Sequence, residues 1–260
     1  MRTVVVTGAA SGMGAATRAR LEADGQGVIG VDLRDAEVIA DLGTPDGRRA
    51  AIDAVTEASG GAIDGLVTWA GLPGLTDRAG SLLASVNYFG TVTLLDGLRP
   101  LLARGDRPAA VAISSNSITS QPDIAMDVTR ACLDGDEPAA RAAADEVTSF
   151  AVYPATKLAI AWWVRRQAPT EAWAGSGITL NAVAPGAIET PLLQASLGDP
   201  TVGELVAAFP IPVGRRGQAD EIAAFVQFLL GPDARFFCGS VLFQDGGTDA
   251  QVRPDAPTPP

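Results

Sequence analysis

The run Arg2-Thr3-Val4-Val5-Val6-Thr7-Gly8-Ala9-Ala10-Ser11-Gly12-Met13-Gly14 passes from β-branched and apolar residues into a glycine-rich turn, and an amphipathic stretch follows through Leu21. That order predicts a strand, a tight turn and a helix. Glycines at 8, 12 and 14 let the backbone turn sharply and let a pyrophosphate reach the amides at the helix amino end, where the dipole is positive. Their spacing, Gly-x3-Gly-x-Gly, differs from the Gly-x-Gly-x2-Gly fingerprint of many dinucleotide-binding turns. Glycines alone are ordinary turn chemistry; the strand before and helix after favour nucleotide binding.

Outward from this unit the chain alternates. Strands are expected near 3–7, 27–32, 37–40, 65–69, 109–114, 178–184 and 240–243, and helices near 12–24, 44–58, 81–102, 151–168 and 219–230. Alternation of this kind gives a parallel sheet covered by helices on both faces. Thr44-Pro45 makes a good cap and first-turn pair for the second helix. Only Leu33 to Ala36 separate the second and third strands, too few for a helix, so that crossover is short. The alanine-rich segment Asp136 to Ser149, with Pro138 near its start, predicts an extra helix. The tail 253–260, with four prolines, is expected to be disordered.

Composition bounds the answer. A chain of 260 residues, 47% hydrophobic, can bury one core and needs no second domain, so 1–252 is expected to be a single α/β unit. No apolar run approaches the roughly 20 residues that span a bilayer, and the amino terminus opens on a strand rather than a signal peptide. A cytoplasmic protein with no membrane partner is expected. A net charge of −11 argues against nucleic acid as a partner. Cys132 and Cys238 lie far apart, and no histidine exists to complete a typical zinc site, so no metal is expected and both thiols read as reduced and structural.

Lys157 is the only lysine of the chain, and it stands four residues after Tyr153, one of two tyrosines, in Val152-Tyr153-Pro154-Ala155-Thr156-Lys157. Every other side-chain cation is arginine. A lone lysine marks a position where arginine fails. A compact ammonium can donate to a ribose and acidify a neighbouring phenol, whereas the guanidinium is bulkier, planar and never releases its proton. One turn of helix places the two side chains on one face.

Thr7-Gly8-x3-Gly12-x-Gly14 together with Tyr153-x3-Lys157 resembles the short-chain dehydrogenase/reductase family, and the resemblance runs along nearly the whole chain. Trp69-Ala70-Gly71 is similar to the family's Asn-Ala-Gly after the fourth strand, with Trp in place of Asn. Ser114-Ser115, closing the apolar run Ala109 to Ile113, resembles the strand that delivers the catalytic serine, taken as Ser115. Asn87 in Ser85-Val86-Asn87-Tyr88 resembles the fourth catalytic residue. Asn181-Ala182-Val183-Ala184-Pro185-Gly186, then Ile188 and Thr190, resembles the nicotinamide-side motif. Pro212-Val213-Gly214-Arg215 and Asp245-Gly246-Gly247 are similar to the carboxyl-terminal landmarks. The short crossover, the sequence Val31 to Leu42, Val86 to Gly90 and Glu189 to Ala195 resemble the 3α-hydroxysteroid dehydrogenase/carbonyl reductase branch. The resemblance implies a single-domain Rossmann fold with about seven parallel strands, and a homodimer or homotetramer. Pairing is expected through the helices 81–102 and 151–168 or through the last helix and strand. It also marks residues 116–150 as an insert before Tyr153 and 190–217 as the substrate loop.

The chemistry implied by the resemblance is hydride exchange between NAD and a secondary alcohol or ketone, with a steroid, a cyclic terpenoid or another bulky carbonyl compound as the expected substrate. Tyr153 would be the acid/base, Lys157 would favour its phenolate and bind the ribose, Ser115 would hold the carbonyl oxygen, and Asn87 would keep a water on the proton path. Gly8, Ser11, Gly12, Met13, Asp32, Leu33, Asp41, Leu42, Ala70, Gly71, Pro185, Gly186, Ile188 and Thr190 would join Tyr153 and Lys157 in binding the cofactor. Asp32, ending the second strand, can accept from both adenosine ribose hydroxyls and would repel a 2′-phosphate, which favours NAD over NADP. Arg34 could oppose that preference but reads better as a solvated loop charge. A lyase or epimerase on the same scaffold and a noncatalytic NAD(H)-binding regulator remain alternatives. A serine hydrolase is excluded for want of a histidine base. Trp162 and Trp163 read as core or subunit packing, Arg215-Arg216 as a solvated pair, and Asn116 and Ser117 as exposed loop residues rather than substrate contacts.

Overall fold

Seven parallel strands form the centre of the computed structural model, which describes residues 1–256. The strands are β1 (Thr3–Thr7), β2 (Gly27–Asp32), β3 (Val38–Ile39), β4 (Gly65–Thr68), β5 (Ala109–Ile113) and β6 (Thr179–Pro185), and the seventh is Val241–Gln244. Their order is β3-β2-β1-β4-β5-β6 followed by Val241–Gln244. The chain therefore winds outward from β1 in one direction, then from β4 in the other. The carboxyl ends of β1 and β4 flank the switch point where open α/β sheets bind ligands. A two-residue pair, Ile188–Glu189 with Gly217–Gln218, was not expected and ties together the two ends of segment 190–217.

Every residue of β4, β5 and β6 is buried, as strands covered on both faces require. One apolar cluster joins the sheet to the helices Pro45–Ala58, Gly90–Leu102 and Ser149–Gln167; a second joins its other face to Gly12–Ala23 and Ala219–Leu230. Thr44 caps Pro45–Ala58 as expected, its hydroxyl accepting from Gly47 N at 3.1 Å.

Three expectations need correction. The helix expected over 81–102 is divided: Gly80–Leu83 and Gly90–Leu102 are α-helical, and Ala84–Phe89 between them is a π-helical segment carrying Asn87. Such wide turns often occur at functional sites. The insert contains more than one helix: Ser117–Ser120 and Met126–Leu133 precede the anticipated one, which runs Glu137–Asp145. In the tail, Val252 ends a helix begun at Thr248 and Ala256 N closes a turn on the Arg253 carbonyl, so 253–256 are ordered. Residues 257–260 of the expected disordered segment lie outside the described residues.

The insert is pinned to the body by polar contacts. Arg48, 3% exposed, reaches Glu137 at 2.5 Å; Arg141 donates to Ser85 Oγ at 2.6 Å; Asp145 accepts from Ser81 N at 2.8 Å; Thr129 donates to the Ala155 carbonyl at 3.1 Å. These bonds lay the insert against the π-helical segment and the helix that carries Tyr153.

Candidate active site

β1 delivers the chain into Gly8, whose φ of +66° is readily adopted without a side chain. The turn is packed too tightly for any side chain at Gly14: a Cβ there would lie 2.0 Å from the Gly8 carbonyl oxygen. Such close backbone approach leaves the amino end of Gly12–Ala23 open to a phosphate. Ser11 is exposed at its cap without a side-chain capping bond. Asp32 Oδ2 accepts from Ala10 N at 3.0 Å and Oδ1 from Leu33 N at 2.7 Å, so the carboxylate at the end of β2 is fixed beside the glycine turn. The Arg34 side chain is 84% exposed and lies 3.9 Å from Asp35, in keeping with a solvated charge. Asp41 is exposed at the rim and accepts from Gly43 N, whereas the Leu42 side chain is buried in the core.

The loop after β4 is held by atoms that the sequence did not advertise. Thr7 Oγ1 accepts from Ala70 N at 3.0 Å. The Asn87 amide spans Leu72, accepting from its N–H at 2.7 Å and donating to its carbonyl at 3.0 Å. Trp69, in place of the usual asparagine, is buried and its indole nitrogen makes no hydrogen bond. Thr7 and Asn87 thus fix the turn. Between them a Cβ on Gly71 would lie 3.3 Å from Asn87 Oδ1 and 3.5 Å from Lys157 Nζ. Asn87, Gly71 and Lys157 therefore meet.

Ser149–Gln167 carries Tyr153 and Lys157 one turn apart, as expected. Thr148 caps it by accepting from Ala151 N at 3.3 Å, and Ser114 Oγ ties it to the end of β5 by donating to the Lys157 carbonyl at 2.9 Å. Lys157 Nζ is 5.9 Å from the centre of the Tyr153 ring and donates to the Ile113 carbonyl at 3.1 Å. The lysine is 4% exposed, and burial pulls its ammonium down to about 8. Burial also raises the Tyr153 phenol above its ordinary 10.0, while hydrogen bonding with Ser115 pulls it the other way. Ser115 Oγ accepts from Ser117 N at 3.1 Å, which fixes the hydroxyl.

These groups line one cleft together with Met13, Gly71, Pro185, Gly186, Ile188 and Thr190. Counting its open mouth, the cleft encloses about 1040 Å³. That is ample for one ring system beside another. Thr190 Oγ1 donates to the Ile188 carbonyl at 3.1 Å and accepts from Leu193 N at 3.3 Å, starting the short helix Pro191–Leu197. This helix and Gly203–Ala207 form one wall, and Asp199 between them accepts from Thr76 N at 2.7 Å and Thr76 Oγ1 at 2.6 Å. Segment 190–217 is thereby latched to the loop after β4.

Two of the lesser readings change, those of Ser117 and Cys238. Ser117 is 7% exposed and lines the cleft beside Asn116, so the exposed-loop reading fails for it. Arg215 and Arg216 stay at the surface as expected, 60% and 35% exposed, and there they pair with Glu221 at 2.7 Å and Glu189 at 3.1 Å. Cys132 is buried but Cys238 is exposed, so only the first is a core thiol. Trp163 does pack in the core, edge-on to Trp173 at 5.9 Å. Among the described residues no cluster of metal-ligating side chains and no helix long and apolar enough to cross a membrane occurs.

A family model described as enoyl-(acyl carrier protein) reductase matches residues 139–249. The chain is 44% identical to the 3-alpha-hydroxysteroid dehydrogenase/carbonyl reductase of Comamonas testosteroni, over 98% of this chain and 99% of that one. It is 31% identical to a coniferyl-alcohol dehydrogenase of a Pseudomonas species, over 95% and 96% of the two chains. The crystal structure of the 3-alpha-hydroxysteroid dehydrogenase from Pseudomonas sp. B-0831 complexed with NADH superposes with a TM-score of 0.94, at 45% identity, covering 98% of this chain and 99% of that one.

Proposed function

Because this chain belongs to the short-chain dehydrogenase/reductase family, we propose that it interconverts a secondary alcohol and a ketone with NAD(H), using Tyr153 as the acid/base. The observation that carries the reading is the buried pair: the chain's only lysine, directed to the Ile113 carbonyl, beside the Tyr153 ring in the same cleft as Ser115. The glycine turn, with no room for a Cβ at Gly14, and the Asp32 carboxylate beside it fit a dinucleotide. When bound, NADH supplies the hydride.

The chain's own groups do the rest. Ser115 orients the carbonyl oxygen toward the phenol, and Tyr153 gives it a proton as negative charge grows there. In the reverse direction the phenolate takes the proton from the alcohol. Lys157 favours that phenolate by its charge and can donate to a ribose hydroxyl. Asn87 locks the 70–72 turn and, through the space at Gly71, sits where a water could pass protons from Lys157 to solvent. Asp32 would hold the adenosine ribose, so NAD is preferred to NADP. Pro73, Phe150, Leu192, Leu193, Val206 and Phe209 give the substrate side apolar walls, which suits a hydroxysteroid, cyclic terpenoid or other bulky carbonyl compound.

A homodimer in the cytoplasm completes the reading. The insert covers part of the face formed by the π-helical segment and Ser149–Gln167, which favours pairing through Ala219–Leu230 and Val241–Gln244; Phe228 on that helix and Phe236 in the connection between the two are exposed. Light scattering checks this, and a monomer would contradict it. The catalytic assignment is tested by NADH absorbance decay against 3-ketosteroids, cyclic terpenoid ketones and aryl ketones. Tyr153→Phe is expected to lower turnover by roughly 10²- to 10⁴-fold while NADH still binds; near-wild-type turnover in the variant would refute it.

A further inference from the structure

Arg18, on the helix that follows the glycine turn, is shared by two carboxylates. Its Nε donates to Glu22 Oε1 at 2.8 Å, while Nη1 and Nη2 donate to the two oxygens of Glu37 at 3.0 and 2.5 Å. The second contact is a bidentate, charge-assisted pair. Glu22 lies one turn farther along Gly12–Ala23, away from the glycine turn. Glu37 comes from the other side, just before β3, and its carboxylate also accepts from Gly30 N at 2.8 Å. Gly30 makes room for the pair: a Cβ there would lie 2.9 Å from Glu37 Oε2, 3.0 Å from Arg18 Nη1 and 2.9 Å from the Ala9 Cβ.

The strand sets the distance from this pair to Asp32. Residues 30 and 32 of β2 point to the same face, about 6.6 Å apart along the chain. Asp32 Oδ2 accepts from Ala10 N, and Ala9, Ala10, Arg18 and Glu37 line one open hollow with Asp35 and Ala36. The hollow thus runs from the Arg18–Glu37 pair to the turn that anchors Asp32. A phosphate on the 2′-oxygen of a ribose held by Asp32 would stand within the roughly 8–10 Å over which charges interact at ordinary ionic strength. Arg18 is 25% and Glu37 44% exposed, so the pair borders solvent and its field acts through water. Asp35 at the rim is 82% exposed and lies 3.9 Å from Arg34, where solvent screens both.

We propose that Glu37 is a second determinant of NAD over NADP, a positioning residue that acts through Arg18. By occupying the guanidinium it withholds a cation that would otherwise favour a 2′-phosphate one pleat away. Together with Glu22 it leaves the cluster one charge negative. The inference rests on the reading of Asp32 as the ribose ligand and adds a residue that selects the cofactor through another side chain rather than by its own contact.

The test measures dissociation constants of NADH and NADPH by fluorescence titration of the full chain, at low and at high salt. The ratio of the two constants within one variant cancels damage common to both cofactors, so a merely structural role does not move it. Glu37→Gln keeps an acceptor for Gly30 N and removes the charge. It is expected to tighten NADPH relative to NADH by about 3- to 10-fold at low salt, the effect of one unit charge on a phosphate dianion across about 7 Å of solvated surface. The gain should shrink at high salt. A similar gain is expected in Asp32→Ala, and adding Arg18→Met to Glu37→Gln should abolish it in both backgrounds. Glu22→Gln, which removes the same charge farther from the turn, should give a smaller gain. A ratio that Glu37→Gln leaves unchanged in both backgrounds overturns the proposal, as does a gain that survives Arg18→Met or ignores salt. Equal gains from Glu22→Gln and Glu37→Gln would show that net charge alone matters and would overturn it too. The NAD reading fails separately: a wild type that binds NADPH more tightly than NADH removes it, whereas the role of Glu37 is still decided by whether its replacement moves the ratio further toward NADPH.

Discussion

Replacing Lys157 by methionine separates what the site costs from what it does. The lysine is buried and its ammonium is displaced from 10.5 to about 8 by desolvation. That displacement disfavours the folded, charged form by about 3 kcal/mol at neutral pH. Methionine keeps most of the volume but loses the bond to the Ile113 carbonyl, 3.1 Å in the protein, and that loss returns about 1–2 kcal/mol. Lys157→Met is therefore expected to stabilise the cofactor-free protein at pH 7 by about 1–2 kcal/mol. Because the lysine's pKa is lowered on folding, its penalty is fully present below about 8 and fades as pH rises toward 10.5. The advantage of the variant must shrink across that window and turn into a small deficit above it. Urea melts of Tyr153→Phe and Tyr153→Phe/Lys157→Met at pH 7, 8, 9 and 10 remove the tyrosine's own titration from the comparison. A stability gap that does not change with pH, or a variant less stable at pH 7, would refute the reasoning.

Three further outcomes follow from the geometry. Gly14→Ala places a Cβ 2.0 Å from the Gly8 carbonyl oxygen, so the glycine turn must deform; a loss of about 3 kcal/mol in stability and of measurable NADH binding is expected in melts and fluorescence titration. Asp32→Ala removes the acceptor of Ala10 N and Leu33 N and the charge that repels a 2′-phosphate; the ratio of kcat/KM for NADH to that for NADPH should fall, and a wild type that prefers NADPH would contradict the assignment. Asp199→Ala cuts the latch to Thr76, which should raise KM for bulky ketones several-fold with kcat largely retained; unchanged KM would show that the latch does not shape the cleft.

What could be read from sequence was what lies close along the chain. The strand, glycine turn and helix of residues 3–23 and the Tyr153/Lys157 pair are local patterns whose physics is complete within a turn or two, and both stand where expected. Ser114 and Thr7 escaped because their hydroxyls act on distant backbone atoms, Lys157 O and Ala70 N. Ser117 escaped for a different reason: it looks like a loop residue until the fold brings Leu192, Leu193 and Ser196 to the same cleft. Arg215 and Arg216 do lie at the surface, but their partners Glu221 and Glu189 are identified only once the fold brings them together. The π-helical segment had no local signature. Its apolar spacing resembles that of an ordinary helix, and only the docking of Asn87 on Leu72 makes its wider turn intelligible.

The environment of Lys157 explains why so costly a group suits the reaction. Most buried cations are paired with a carboxylate, which restores their charge and also consumes it. Here desolvation alone moves the lysine, and its hydrogen bond goes to a neutral carbonyl. The Tyr153 ring lies 5.9 Å away, so the anion best placed to compensate the ammonium is the phenolate itself. A carboxylate within reach would hold the lysine fully charged but spend its field on the wrong partner, leaving the phenol, raised by its own burial, less able to act as a base. Placing a neutral carbonyl there keeps the attraction available for the step in which the phenol changes charge, and the fold carries the resulting instability in Ser149–Gln167, a helix fixed by its Thr148 cap, by Ser114 and by the insert.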